Sequence, residues 1–461
     1  MTGVIGILAS LFLLMLLAYR NHSVIVIAPV CALMAVSVEG ELPLMATYTQ
    51  IFMDSLGKFI IRYFPLFMLG AIFGKLMEET GSAASIAQWI VRWVGSSRAI
   101  LALVLTCSVL TYGGVSLFVV VFTVFPLALE LFRQADLPTR LIPGSIALGS
   151  FTYTMTALPG SVQIQNLIPM PFFKTNSYAA PLMGILSALM MFGLGMVWLS
   201  YRGRQAIRWK EGFESTTDSA LIKLNPQPIS AVKTSTLMAL SPLICLFILN
   251  FLCSQFVVPG WQADYLAEKR FGATDLKKLE GVWSTILAMV GAIVCLLMIH
   301  WRLASELTEV ISKGAQSSLL PVFNAASEFG YGSTIAALGG FSYVKQWMVG
   351  IAPSRPLISE AISVNVLAGI TGSASGGLSI ALEALGQTYY ERGLALGVDP
   401  ELMHRVASLS CGGLDTLPHN GAVITLLLIC GQTHKQSYWD IAMVSVVIPI
   451  FTTAVVILCA S

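Results

Sequence analysis

Asp415 and His419 stand four residues apart inside an apolar stretch, the one close acid–imidazole pair in such a setting. Side chains of these types exchange protons, and an ionisable group held in hydrocarbon is costly enough to read as functional. Glu328 is a further acid of this kind, in the small-residue run Ala325-Ala326-Ser327-Glu328-Phe329-Gly330. Asp415, His419 and Glu328 are therefore the candidates for proton coupling. Glu360 and Glu383 fall toward the outer ends of their apolar run, where a solvated position is expected. No lysine or arginine is expected at mid-depth, so a bound anion would rely on helix dipoles and hydroxyls.

A second set of residues could hold a ligand. Thr111, Gly113, Gly114 and Ser116 interrupt one apolar run; Ser373, Ser375, Gly376 and Gly377 interrupt another about 260 residues later. Glycines let backbone approach a ligand, and hydroxyls can donate to it. The helix that restarts after each cluster would aim its free amides at the centre, a ready site for a carboxylate. Leu158-Pro159-Gly160-Ser161, with Gln163, Gln165 and Asn166 after it, is matched by Leu417-Pro418-His419-Asn420-Gly421. Proline opens the helix ladder and frees carbonyls. Ser161, Gln163, Asn166 and Asn420 thus join the substrate-binding candidates. Superimposing the two Leu-Pro pairs sets Thr156 against Asp415, so the copies differ in charge. Close packing through small residues would explain one such glycine cluster. Its duplication favours a binding role.

The elements that must position these residues follow from composition. Of 461 residues, 56% are hydrophobic and 11% charged. Soluble chains carry about 25% charged residues. Runs long enough to cross a bilayer recur throughout, which predicts an all-α polytopic membrane protein. The net charge of +2 gives no attraction to nucleic acid. No Walker-type loop suggests an ATP motor. The eight cysteines fit neither a zinc site nor a disulfide framework, and no metal or cofactor is expected. The first apolar run lacks the basic start of a signal peptide and reads as a retained helix.

Spans are expected near 3–19, 24–39 and 59–76, then an amphipathic stretch from Ser85 to Val94, an interrupted run at 98–133, a broken span at 143–170 and a plain span at 180–200. The second half repeats the order: 236–258, 281–300, 319–341, an amphipathic linker around Phe341 to Gly350, an interrupted run at 356–390, a broken span at 402–431 and a last span at 438–459. Residues 1–200 form the first repeat, with scaffold helices in 1–97, the hairpin and broken helix in 98–170, and a helix at 180–200. Residues 201–235 form a basic cytoplasmic linker, and 236–461 the second repeat. If each interrupted run enters and leaves on one side, each half crosses the membrane an odd number of times. The repeats are then inverted, with both termini outside.

The segments LTYGGVSLFVVVFTVFPLALELFRQADLPTRLIPGSIALGSFTYTMTALPGSVQIQNLIP (110–169), GITGSASGGLSIAL and SCGGLDTLPHNGAVITL resemble the gluconate permease family of the ion-transporter superfamily. They are most similar to its D-beta-hydroxybutyrate permease branch. The resemblance implies a bacterial inner-membrane symporter of small hydroxy-monocarboxylates coupled to protons. It also implies a homodimer and an elevator mechanism, in which hairpins and broken helices move against a scaffold. Gluconate-type members carry a proline- and histidine-rich loop in the first broken helix, where this chain has TALPGSVQIQN. The paired Ser-Asn-Thr motifs of sodium-coupled relatives are missing, which favours protons over sodium. Other readings are a sodium-coupled or metal–citrate carrier, a channel, and an intramembrane hydrolase. The hydrolase fails on Ala374, which stands where a nucleophile elbow needs serine.

Overall fold

The computed structural model describes residues 2–20, 22–95, 98–115, 117–213, 235–301, 304–418 and 420–460. Among these the chain is helical, with no strand. A backbone surrounded by hydrocarbon must satisfy its own amides, and helices do so locally. The first half runs α1 (Thr2–Tyr19), α2 (Val24–Glu39), α3 (Leu44–Glu79) and α4 (Ser82–Val94). A hairpin follows, α5 (Ala99–Tyr112) and α6 (Leu117–Gln134). The next segment is broken into α7 (Ile142–Ser150), α8 (Tyr153–Thr156), α9 (Ile164–Leu167) and α10 (Met170–Phe173). α11 (Pro181–Arg208) closes the half.

The second half runs α12 (Thr236–Val257), α13 (Leu276–Ile299), α14 (Ala304–Ser317), α15 (Leu319–Ala337) and α16 (Phe341–Gly350). Its hairpin is α17 (Pro356–Thr371) and α18 (Ala374–Ala395). Its broken segment is α19 (Pro400–Cys411) and α20 (Gly421–Ile429), and α21 (His434–Cys459) ends the chain. Five of these helices, α3, α11, α12, α13 and α21, are long and apolar enough to cross a membrane.

Three elements differ from the expected spans. α14 is an additional helix, too polar to register as an apolar run; it packs with α15 against α3. α3 begins well before residue 59 and passes through a π-helical turn at Tyr48–Phe52. α11 continues past residue 200 because its polar end finds partners. Arg202 Nε lies 2.8 Å from Asp440 Oδ1, and Trp198 Nε1 donates to the same oxygen at 3.1 Å. Arg140 reaches Asp440 at 3.5 Å and Glu211 at 2.6 Å, so this ionic cluster ties α11 and the entry to α7 onto α21. Most of the expected linker, 214–234, lies outside the described residues.

Helices close on one another through small residues. A Cβ on Gly149 would meet the Val104 carbonyl at 2.6 Å, which fixes α7 against α5. One on Gly377 would fall on the Ala368 backbone, so the limbs of the second hairpin touch without side chains between them. α15 is the hub of the second half, packed on α2, α3 and α18.

Candidate functional site

The first hairpin turns at Gly113-Gly114, where Gly114 takes φ +84°. The second turns at Gly372, φ +62°, followed by Ser373 as N-cap of α18. Only glycine adopts such angles without steric cost, so both tips are written into the sequence. Ser373 Oγ accepts the Gly376 amide at 3.1 Å and lies 3.5 Å from Ser375 Oγ.

The broken segments leave carbonyls without helical partners, and polar side chains take them up. Gln163 Nε2 donates to the Thr111 carbonyl at 2.6 Å, joining the first break to the first tip. Asn420 Nδ2 donates to the Gly372 carbonyl at 2.8 Å, joining the second break to the second tip. Asn420 also donates to the Asp415 carbonyl at 2.9 Å, and its Oδ1 caps α20 through the Val423 amide at 2.8 Å. Ser161 Oγ donates to the Thr154 carbonyl at 2.9 Å, and Asn166 Nδ2 to the Ser161 and Ser177 carbonyls, both at 2.9 Å.

One cleft of about 670 Å³ gathers residues from both halves. Gly114, Leu117, Val162 and Gln163 come from the first; Asn324, Glu328, Ser373 and Ser375 come from the second. Lys75 and Glu78 of α3 and Lys313 of α14 also line it. The lysines are paired: Lys75 lies 3.1 Å from Glu78 and 3.2 Å from Glu79, and Lys313 lies 2.8 Å from Glu309. Glu328 is 3% exposed. Its carboxylate occupies the space that a Cβ on Gly376 would need.

Thus five of the expected residues, Gly114, Gln163, Ser373, Ser375 and Glu328, border one cleft, and Gly376 backs Glu328. Thr111 is buried behind its tip, with its hydroxyl donating to Ser150 at 2.9 Å. A Cβ on Gly113 would run into Leu243, so this glycine serves the contact with α12. Ser161 and Asn166 are fully buried behind the first break, and Gly377 packs on α17. Asn420 links the second break to its tip. Asp415 is 3% exposed, with one carboxylate oxygen lacking any hydrogen-bond partner. Ser116 and His419 lie outside the described residues.

Two expectations are corrected. A cation does enter the interior: Arg405 of α19 is fully buried. It donates to the Ala179 carbonyl at 2.7 and 3.2 Å, to Asn166 Oδ1 at 3.0 Å and to the Thr156 carbonyl at 3.3 Å. Carbonyls freed by the first break replace a counter-ion. Ser408 Oγ adds a bond to Thr156 O at 2.9 Å, so the two broken segments are locked together. Glu360, expected in solvent, is also fully buried, with both oxygens unpartnered. α1, α16 and α19 pack against α17. Glu383 is partly buried and accepts a hydrogen bond from Ser333 at 3.1 Å.

Apolar spans, two glycine-tipped hairpins and two broken segments, with both tips and the first break bordering one cleft, make a multi-pass membrane protein of the permease class. Residues 2–317 match the model of the GntP family permease, and the chain belongs to that family. It is 45% identical over 453 residues to a Bacillus subtilis protein described as the uncharacterized transporter YxjC, with 96% of this chain and 95% of the relative covered. A Haemophilus influenzae protein, also described as an uncharacterized transporter, is 30% identical over 181 residues, covering 39% of each chain. The chain is a transporter and not an enzyme.

Proposed function

We propose that this permease is a secondary active carrier that imports a small hydroxy-monocarboxylate, such as 3-hydroxybutyrate or gluconate, together with protons. The carrying observation is the cleft itself. Both hairpin tips and the first break meet there, offering hydroxyls, an amide and the N-terminus of α18. Those groups suit a carboxylate next to a hydroxyl. The lysines that border the cleft are already paired, so binding would be reversible and moderate, as transport requires.

The two runs of helices, hairpin and broken segment support a reading as inverted repeats, 1–200 and 236–461, joined by a cytoplasmic linker. The tie through Arg405 and Ser408 supports joint movement of the broken segments, as an elevator needs. The carrier would work as a homodimer in the bacterial inner membrane. Glu328 bounds the cleft and is the first proposed proton site; Asp415, with His419, is the second.

The test is uptake into proteoliposomes. Labelled 3-hydroxybutyrate, gluconate and citrate are offered under an inward proton gradient or an inward sodium gradient. Accumulation of a hydroxy-monocarboxylate driven by protons is expected. Accumulation driven by sodium alone would move the coupling ion, and no carboxylate uptake under either gradient would reject the reading.

A further inference from the structure

Glu328 stands beside the place where a bound anion would be expected. Ser373 and Ser375 open α18 at the edge of the cleft, and amides in the first turn of a helix have no intrahelical acceptor. Such an end attracts negative charge. The carboxylate of Glu328 lies against this turn, in the volume a Cβ on Gly376 would fill. Glycine at 376 is what leaves room for it. The side chain is 3% exposed, and its carboxylate makes no hydrogen bond among the described residues. A structural carboxylate at this depth would be expected to have fixed partners. Glu328 instead lies between the start of α18 and the cleft without a hydrogen-bonding partner that would fix it as an anion.

We propose that Glu328 and the carboxylate of the substrate compete for the N-terminus of α18, so that substrate enters only as Glu328 takes up a proton. This rests on the hydroxycarboxylate reading above and supplies its coupling step. With the cleft empty, ionised Glu328 lies beside the first turn of α18, and its charge excludes a second anion there. When substrate arrives, its carboxylate takes the first-turn amides that Ser373 leaves uncapped, with the Ser373 and Ser375 hydroxyls. Glu328 then binds one proton from the side to which the cleft is open. On release the proton leaves for the other side, and Glu328 returns to the helix end. One anion and one proton are carried per cycle, and no other bond changes.

Other charged groups nearby are accounted for. Lys75 and Glu78 of α3 and Lys313 of α14 line the same cleft and are paired with one another or with Glu79 and Glu309. Glu383 of α18 is bonded to Ser333. The acid of α2, Glu39, accepts the Gly339 and Gly340 amides beyond the end of α15.

The experiment measures binding of 3-hydroxybutyrate and gluconate to purified carrier in detergent across pH, with proton uptake followed in weak buffer. Wild type should take up one proton per ligand, and its affinity should fall about tenfold per pH unit once Glu328 is ionised when empty. Glu328→Gln should bind with no pH slope and take up no proton. Wild-type binding without proton uptake overturns the proposal and needs no variant. So does a slope that survives in Glu328→Gln but vanishes in Asp415→Asn. If neither ligand binds wild type at any pH, the substrate reading itself fails.

Discussion

Arg405 is a cation whose partners are peptide carbonyls and an amide. Replacing it with methionine would leave the Ala179 carbonyl without a donor, while Ser408 still serves the Thr156 carbonyl and His404 lies 3.4 Å from Asn166 Oδ1. A buried acceptor left unpaired costs about 1–3 kcal/mol, so Arg405→Met should lower stability by about 1–3 kcal/mol. Arg405→Lys keeps the charge but cannot spread it over acceptors in different directions, and should recover only part of the loss. Thermal unfolding in detergent ranks the three proteins. Equal melting temperatures would remove Arg405 as the tie between the breaks. The sequence marked the asymmetry between Thr156 and Asp415, yet gave no hint of Arg405. A side chain's reach across to another segment depends on tertiary packing, which periodicity does not encode. The same holds for Glu360: its distance from the tip suggested solvent, and three neighbouring helices removed it.

Each broken segment is closed by the same device. Ser161 and Asn420, equivalent by the two Leu-Pro pairs, donate back across their breaks to the carbonyls of Thr154 and Asp415. Gln163 and Asn420 then reach the carbonyls of the two hairpin tips. These elements were legible because glycine and proline have unambiguous backbone consequences. α14 was not, since Ser, Glu and Lys dominate it and its burial comes from α3. Packing at the second hairpin can be tested by glycine replacement. Gly377→Ala forces a methyl onto the Ala368 backbone and should cost about 1–3 kcal/mol. Gly421→Ala, with open space around its Cβ, should stay within about 0.5 kcal/mol of wild type. A Gly377→Ala carrier that melts at the wild-type temperature would mean the hairpin limbs can separate at no cost.

Across the whole molecule, the order of elements was readable apart from α14. What the sequence could not supply was their convergence on one cleft, with Glu328 facing the start of α18. That single contact has an electrical consequence. When an anion displaces Glu328 and Glu328 gains a proton, the total charge in the cleft is unchanged. Loaded and empty carriers then move the same charge through the bilayer. A membrane potential is worth about 2.3 kcal/mol per elementary charge per 100 mV, and it acts only on charge that differs between the two legs of the cycle. Uptake at a fixed pH gradient should therefore proceed at the same rate with the voltage clamped at zero or made strongly negative inside by a potassium diffusion potential. The carrier would draw on the chemical half of the proton-motive force and be indifferent to the electrical half. Acidity outside would then power it even in a depolarised cell.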